Sequence, residues 1–130
     1  MAETLIPGEG GRPTQLLQGQ VALITGASRG IGAATAHLFA QHGAAVAINY
    51  HVSRERAQEV VASIESDGGR AIAVQASVDH PMQIAAMVQE VEQTLGPIDT
   101  LVMNATAVHD NTAFLARSSN QLGRRIRTWC

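Results

Sequence analysis

A glycine-rich turn between an apolar run and a helical segment constrains the fold of this chain more than any other feature. It lies within residues 21–39, which read VALITGASRGIGAATAHLF. The apolar run of residues 21–25 predicts a buried strand, and residues 30–41 predict a helix. In that helix four residues share one face: Ile31, Thr35, Leu38 and Phe39. So short a turn opens a βαβ unit, with the helix N-terminus at the end of the strand.

The same alternation continues along the chain. Strands are predicted at residues 44–50, 70–76 and 98–104, and helices at residues 53–66 and 81–95. Helical crossovers between strands imply parallel pairing and right-handed connections. The fold class is therefore α/β, a Rossmann-type doubly wound parallel sheet. Its element order is β-α-β-α-β-α-β and its strand order 3-2-1-4, truncated after the fourth strand.

The helices carry recognisable ends and inward faces. Ser53 can cap the second helix, proline fits the first turn of the third, and Gly43 is suited to follow the first. The second helix is expected to direct Val60, Val61 and Ile64 inward. The third has a longer apolar face: Ile84, Met87, Val88, Val91 and Leu95. Because aromatic residues make up only 3% of the chain, the predicted core is aliphatic.

Composition divides the chain into three parts. Residues 1–18, rich in proline and glycine, are expected to form a flexible N-terminal tail. Residues 19–107 carry the alternating elements and form the predicted Rossmann-type domain. Residues 108–130 lose the alternation and are expected to form an irregular C-terminal tail.

Charge and cysteine content exclude several classes of function. The net charge of -2 gives no electrostatic basis for binding nucleic acid or an acidic membrane surface. Cys130 is the only cysteine, which excludes an internal disulfide, and no metal site is predicted. No apolar run approaches the roughly 18 residues of a membrane span, and the N-terminus does not resemble a secretory signal. We therefore expect a cytoplasmic location.

Each glycine of the turn has a separate predicted role. Gly26 permits the tight turn out of the strand, Gly30 lets the backbone approach a pyrophosphate, and Gly32 lets the helix pack against the strand. The free N–H groups at the helix N-terminus would then face the phosphates. Glycine spacing alone fits ordinary turns as well, but its place between a strand and a helix favours dinucleotide binding.

The end of the second strand favours NADP over NAD. A site that binds a free ribose 2′-hydroxyl usually carries an acid there, whereas this chain has Asn49-Tyr50-His51. Arg29 lies inside the glycine turn and can pair with a 2′-phosphate. Arg54 and Arg56 lie just beyond the strand. They are either further phosphate ligands or a solvated helix face.

These motifs resemble the short-chain dehydrogenase/reductase family. The sequence TGASRGIG after an apolar strand is similar to the cofactor loop of the branch that includes the 3-oxoacyl-carrier-protein reductases. Residues 44–78 are similar to its second and third strands. LGPIDTLVMNATA is similar to its fourth strand, which typically ends in Asn-Asn-Ala-Gly. The resemblance covers about residues 19–107.

The resemblance implies a set of cofactor contacts. Gly26, Ser28, Arg29, Gly30, Ile31 and Gly32 match the loop that holds the pyrophosphate and adenosine. The ribose-phosphate edge is matched by Tyr50, His51 and Ser53, and the adenine position by Ser77 and Val78. At the end of the fourth strand Asn104 matches a residue that mainly stabilises the sheet, and Ala105 one that lines the cofactor.

The chain also departs from the family pattern. Met103 replaces the first Asn of the fourth-strand motif and Thr106 its glycine. Neither the family's catalytic Ser nor its Tyr-x-x-x-Lys has a match, since Tyr50 is the only tyrosine and the chain contains no lysine. No catalytic residue is therefore predicted. Without that acid/base, nothing protonates the alkoxide that develops during carbonyl reduction.

Three functional hypotheses remain open. The chain is an NADP-dependent oxidoreductase by lineage, catalytically incomplete, which would act on a carbonyl or alcohol only in a full-length form. Alternatively it is a non-catalytic NADP(H)-binding module, or an inert product of truncation or a shifted reading frame. In each case the fourth strand forms an exposed apolar edge, which predicts self-association.

Overall fold

Strands and helices alternate strictly in the computed structural model, which describes residues 15–105. The elements are β1 (Val21–Ile24), α1 (Gly30–Gln41), β2 (Ala45–Tyr50), α2 (Arg54–Ser66), β3 (Arg70–Gln75), α3 (Pro81–Thr94) and β4 (Thr100–Val102). The four strands are parallel in the order β3-β2-β1-β4, which confirms the predicted topology. Predictions for residues 1–14 and 106–130 lie outside the described residues.

Two apolar layers cover the two faces of the sheet. Successive residues of a strand point to opposite faces, so Ile24 packs on the side of α1 and α2 while Leu23 packs on the side of α3. The first layer also contains Val46 and Ile48, and the second contains Val74. The core is built almost entirely from aliphatic side chains, as the composition predicted.

Helix α1 is rotated relative to the prediction. Ile31 and Leu38, expected on one face with Thr35 and Phe39, are 79% and 53% exposed. The buried residues of the helix are Gly32 and Ala36. The helix axis can approach the sheet closely only through small side chains, and the two large aliphatic residues are consequently turned outward.

The other two helices match their predicted faces. Val60 and Ile64 of α2 are buried and Val61 is half-buried against the same layer. On α3, buried Met87 and Val91 alternate with half-buried Ile84 and Val88, and Leu95 follows the helix as a buried residue. Ser53 occupies the N-cap of α2, but its side chain makes no cap hydrogen bond. Within residues 15–105 no helix is long and apolar enough to cross a membrane.

The end of α1 is fixed by a turn that precedes β1. Gly43 N–H donates to Ala40 O at 3.0 Å and Ala44 N–H to Phe39 O at 3.1 Å, the hydrogen bonds of a Schellman motif. Leu17 N–H donates to the carbonyl oxygen of His42 at 2.8 Å. Residues 15–18, assigned by composition to a flexible tail, thus contact the end of α1 through this bond.

Strand β4 is shorter than the predicted 98–104. Its ladder with β1 covers only Thr100 to Val102. Before it, Asp99 Oδ2 accepts the N–H of Val21 at 2.8 Å. After it, the N–H groups of Asn104 and Ala105 both donate to Thr25 Oγ1 at 3.0 Å. A side-chain hydroxyl therefore replaces the ladder acceptors, and the chain leaves the sheet two residues early.

Candidate functional site

The carboxyl ends of all four strands meet at one edge of the sheet because the strands are parallel. The loops that follow them bring the predicted site residues together. The glycine turn follows β1, His51 and Ser53 follow β2, and Ser77 and Val78 follow β3. Asn104 and Ala105 follow β4. Residues separated by up to 80 positions in the sequence thus form one edge.

The N-terminus of α1 opens this edge with unpaired N–H groups. Arg29 is the N-cap residue in extended conformation, its side chain makes no cap hydrogen bond, and the first turn contains no acid. The first N–H in α1 with a hydrogen-bonded acceptor is that of Ala33, bonded to Arg29 O at 3.3 Å. In the described part of the chain the N–H groups of residues 28–32 have no acceptor. Together with the helix dipole they form a site for an anion.

Two glycines make the close packing at this helix end possible. A Cβ on Gly32 would lie 2.6 Å from Asn104 Nδ2 and 2.7 Å from Gly26 O. Gly26 adopts φ +62°, and a Cβ there would lie 2.8 Å from the Cα of Ala105. The helix start and the β4 end thus each lie close against the backbone at the end of β1. This confirms the packing role predicted for Gly32 and the turn predicted at Gly26.

Asn104 ties the β4 end to the glycine turn. Its Nδ2 donates to Gly26 O at 3.0 Å and to Thr25 O at 3.2 Å. Both acceptors are main-chain carbonyl groups of the residues that directly follow β1, and no ladder partner remains for them. The structure therefore gives Asn104 the sheet-stabilising role that the resemblance implied.

Asn49 is a site residue that the sequence analysis did not select. It is 2% exposed, and its Oδ1 accepts the N–H of Gly26 at 3.1 Å. Its Nδ2 donates across to β3, to Ala76 O at 3.2 Å and Val74 O at 3.4 Å. The available signal was a polar residue inside the apolar strand AVAINY, where an amide must find buried partners.

Fewer of the residues predicted to contact the cofactor at the end of β2 have exposed side chains than the sequence analysis expected. Tyr50 is only 7% exposed, and its side chain belongs to the apolar layer beneath α1 and α2. His51 is exposed, and its carbonyl oxygen accepts Gln75 Nε2 at 3.0 Å. The ring of Tyr50 is thus committed to the core, which leaves His51 and Ser53 to form the surface of this edge.

Ser77 is held in the turn that leads into α3. It is buried, its N–H donates to Gln83 Oε1 at 2.8 Å, and its Oγ accepts the N–H of Asp79 at 3.4 Å. Val78 beside it is half-buried. The Ser77 hydroxyl therefore stabilises the local turn, and the half-buried Val78 supplies apolar surface at the predicted adenine position.

A polar cavity of about 620 Å³ lies beside the glycine turn. Its lining combines both charge signs: Ser28, Arg29, His37, Glu55, Arg56, Glu59 and Val60. Arg54 is not among the lining residues. Two arginines from separate elements therefore line one cavity, Arg29 from the turn and Arg56 from α2.

The sequence that forms this edge is similar to that of known proteins. A family model for short chain dehydrogenases matches residues 20–128. L-rhamnose 1-dehydrogenase (NAD(P)(+)) of Sphingomonas sp. strain SKA58 is 50% identical over 91 residues, 70% of this chain and 36% of that protein. A 3-oxoacyl-[acyl-carrier-protein] reductase of Staphylococcus aureus is 44% identical over 90 residues, 69% of this chain and 37% of that protein.

Solved structures share the same fold. A short chain dehydrogenase of Burkholderia cenocepacia J2315, crystallised in complex with NADP, superposes with a TM-score of 0.72 at 43% identity. The match covers 86% of this chain and 45% of that one. The present chain therefore spans just over a third of the curated relatives described above and less than half of this solved structure.

Proposed function

Because this chain belongs to the short-chain dehydrogenase family, we propose that its 130 residues bind NADP(H) at the carboxyl edge of the sheet. They would form the cofactor-binding part of an oxidoreductase that exchanges a hydride between NADPH and a carbonyl or alcohol. The observation that carries the proposal is the uncapped N-terminus of α1. Its N–H groups have no acceptor among residues 15–105, and phosphate oxygens are suitable acceptors.

The proposed contacts divide between backbone and side chains. The N–H groups of residues 28–32 would bind the pyrophosphate, beside the φ +60° backbone of Gly30, where a Cβ would meet nothing within 4 Å. The exposed side chain of Ile31 and the backbone of Ala105 would line the nicotinamide half. His51 and Ser53 would border the adenosine ribose, and Ser77 and Val78 the adenine. Bound NADPH would supply the hydride itself.

The preference for NADP rests on charge. Arg29 is exposed at the turn, and Arg56 lines the same cavity, so two guanidinium groups can pair with a 2′-phosphate. Glu55 and Glu59 line that cavity too and oppose the phosphate, so the arginines must outweigh them. The NADP bound to the Burkholderia cenocepacia relative supports this preference. The NAD(P)(+) of the rhamnose dehydrogenase is compatible with either cofactor.

Catalysis by these 130 residues alone is not part of the proposal. The chain contains no lysine, and its one tyrosine is buried in the core. A tyrosine packed into the apolar core is not placed to serve as the acid/base that the family mechanism requires. The proposed activity of this polypeptide is therefore cofactor binding without turnover.

The edge strand supports a further proposal, self-association. Among the described residues β4 pairs only with β1, and Leu101 is 54% exposed. An unpaired strand with exposed apolar side chains is a template for pairing with another chain. We propose that two copies associate through β4.

Binding can be tested by titrating the 130-residue protein with NADPH and with NADH while nicotinamide fluorescence is recorded. We expect saturable binding that is tighter for NADPH. Arg29→Ala should weaken the binding of NADPH and leave the binding of NADH nearly unchanged. Carbonyl substrates should produce no oxidation of the cofactor. Equal weakening of both cofactors would disprove the 2′-phosphate role. Absence of all binding would favour an inert product, and turnover would contradict catalytic incompleteness.

A further inference from the structure

The glycine turn is divided into two halves by its hydrogen bonds. The N–H groups of Gly26 and Ala27 are both taken by Asn49, the first by its side-chain oxygen at 3.1 Å and the second by its main-chain oxygen at 3.0 Å. The next N–H groups, those of residues 28–32, have no acceptor within residues 15–105. One residue of β2 thus separates the structural half of the turn from the half open to a ligand.

The side-chain nitrogen of Asn49 is also engaged in hydrogen bonds. Its Nδ2 faces the carbonyl oxygens of Ala76, Val74 and Tyr50 at 3.2, 3.4 and 3.5 Å. These acceptors lie at the carboxyl ends of β3 and β2, whereas Oδ1 faces the turn after β1. The side chain therefore cross-links the ends of three neighbouring strands, and its orientation is set by a donor on one side and acceptors on the other.

We propose that Asn49 is a positioning residue for the cofactor loop, a role that rests on the NADP(H) binding proposed above. By holding Gly26 and Ala27 against β2 and β3, it fixes where the remaining N–H groups point. The phosphate site is then formed before the ligand arrives, which removes an ordering cost from binding. Asn49 does not need to touch the cofactor for this effect.

The role requires an acceptor and a donor on one short side chain. Protonated aspartic acid offers both, whereas ionised aspartate offers acceptors only and would face three carbonyl oxygens. Burial and those oxygens disfavour the charged form, so an aspartate here should have a pKa raised above its usual value of about 3.9. Asn49→Asp should therefore function at low pH and fail as the pH rises through its raised pKa.

The test measures NADP+ binding by calorimetry at pH 5 and pH 8 for the wild type, Asn49→Asp and Val91→Ala. Val91, a fully buried residue of α3 in the other apolar layer, provides a destabilised control that leaves the turn intact. We expect Asn49→Asp to bind within about twofold of wild type at pH 5 and at least about tenfold more weakly at pH 8. Val91→Ala should bind as wild type at both. Tyr50, His51 and Asp79, the ionisable side chains within three residues of Asn49 or Ala76 along the chain, are the same in all three proteins.

Several results would overturn the proposal. A folded Asn49→Asp that follows the wild type at both pH values would show that the donor–acceptor pattern is not needed. A folded Asn49→Asp that binds equally weakly at both would show that restoring the donor by protonation does not restore the site. If Val91→Ala lost affinity to the same degree, the weaker binding of Asn49→Asp would be explained by lower protein stability and not by the Asn49 contacts. If Asn49→Asp unfolds at pH 8, or the wild type does not bind NADP+, the proposal is tested by the hydrogen-exchange rate of the Gly26 amide in the free wild type. Protection supports the Asn49 contact, and exchange at the rate of a free amide refutes it.

Discussion

Thr25 and Asn104 are joined by two hydrogen bonds between the ends of β1 and β4, and Asn104 is the donor in both. Thr25 Oγ1 accepts the main-chain N–H of Asn104 at 3.0 Å, and the side-chain Nδ2 of Asn104 donates to Thr25 O at 3.2 Å. The same hydroxyl accepts the N–H of Ala105 at 3.0 Å. Two residues 79 positions apart thus determine how the chain leaves both β1 and β4, directly beside the proposed phosphate site.

Thr25→Val should therefore destabilise the protein. Valine keeps the shape, but the N–H of Ala105 loses its acceptor and that of Asn104 loses one of two, at a cost of about 1–3 kcal/mol. Urea denaturation followed by circular dichroism measures the change. Thr35→Val is the matched control because Thr35 Oγ1 only donates to Ile31 O within α1, and we expect it to change stability by less than about 0.5 kcal/mol. Equal effects at the two sites would refute the special role of Thr25.

Gly32→Ala should be destabilising although alanine is the better helix former. Alanine gains about 1 kcal/mol in helix propensity, but its Cβ would lie 2.7 Å from Gly26 O and 2.9 Å from the Cα of Ala27. These are backbone atoms that cannot move aside, so overpacking of about 1–3 kcal/mol or more outweighs the gain. Thermal unfolding measures the outcome, with exposed Ala34→Gly reporting the propensity contribution alone. A stabilised Gly32→Ala protein would mean that the helix end is free to shift.

Arg56→Ala and Arg54→Ala should differ in their effect on cofactor choice. Arg56 lines the cavity beside Arg29, and Arg54 does not, although both belong to the first turn of α2. We expect Arg56→Ala to weaken the affinity for NADPH by about tenfold and to leave the affinity for NADH unchanged, since a charge-assisted hydrogen bond contributes about 1.5–3 kcal/mol. Arg54→Ala should alter neither. Fluorescence titrations of both variants with both cofactors provide the measurement, and a larger loss in Arg54→Ala would reverse the assignment.

Leu101→Lys should reduce self-association. Lysine on an edge strand opposes pairing with a second edge, because its charge would be brought close to another chain. The control is Leu38→Lys, which changes an equally exposed leucine (53% against 54%) on α1 instead of the sheet. Light scattering at micromolar concentration should show a lower mean mass for Leu101→Lys only. A wild type that is already monomeric would contradict the edge-pairing proposal.

Local pattern predicted the elements well. Apolar runs placed the four strands, and glycine and proline placed the ends of the helices, because these residues act on the backbone within a few positions. The strand order followed from the helical crossovers, which admit few arrangements. The Gly26 turn was likewise predictable, since a positive φ is a property of one residue.

The errors arose where several elements compete for the same space. The inward face of α1 was misjudged because Gly32 and Ala36 allow the helix to approach the sheet, which turns Ile31 and Leu38 outward. Tyr50 was expected at the ribose edge, but its ring is buried beneath α1 and α2. In each case the side chain's own polarity or size gave no information about the distance between two elements.

The sequence by itself determined the alternating elements, the parallel sheet and the glycine turn at a helix N-terminus. Only the tertiary structure decided which amides of that turn remain free, because their partners come from other strands. Asn49 reaches Gly26 from 23 residues away, and Asn104 reaches it from 78. Such contacts depend on the distance and direction between strand ends, which are set when the layers pack and leave no periodic signal in the chain.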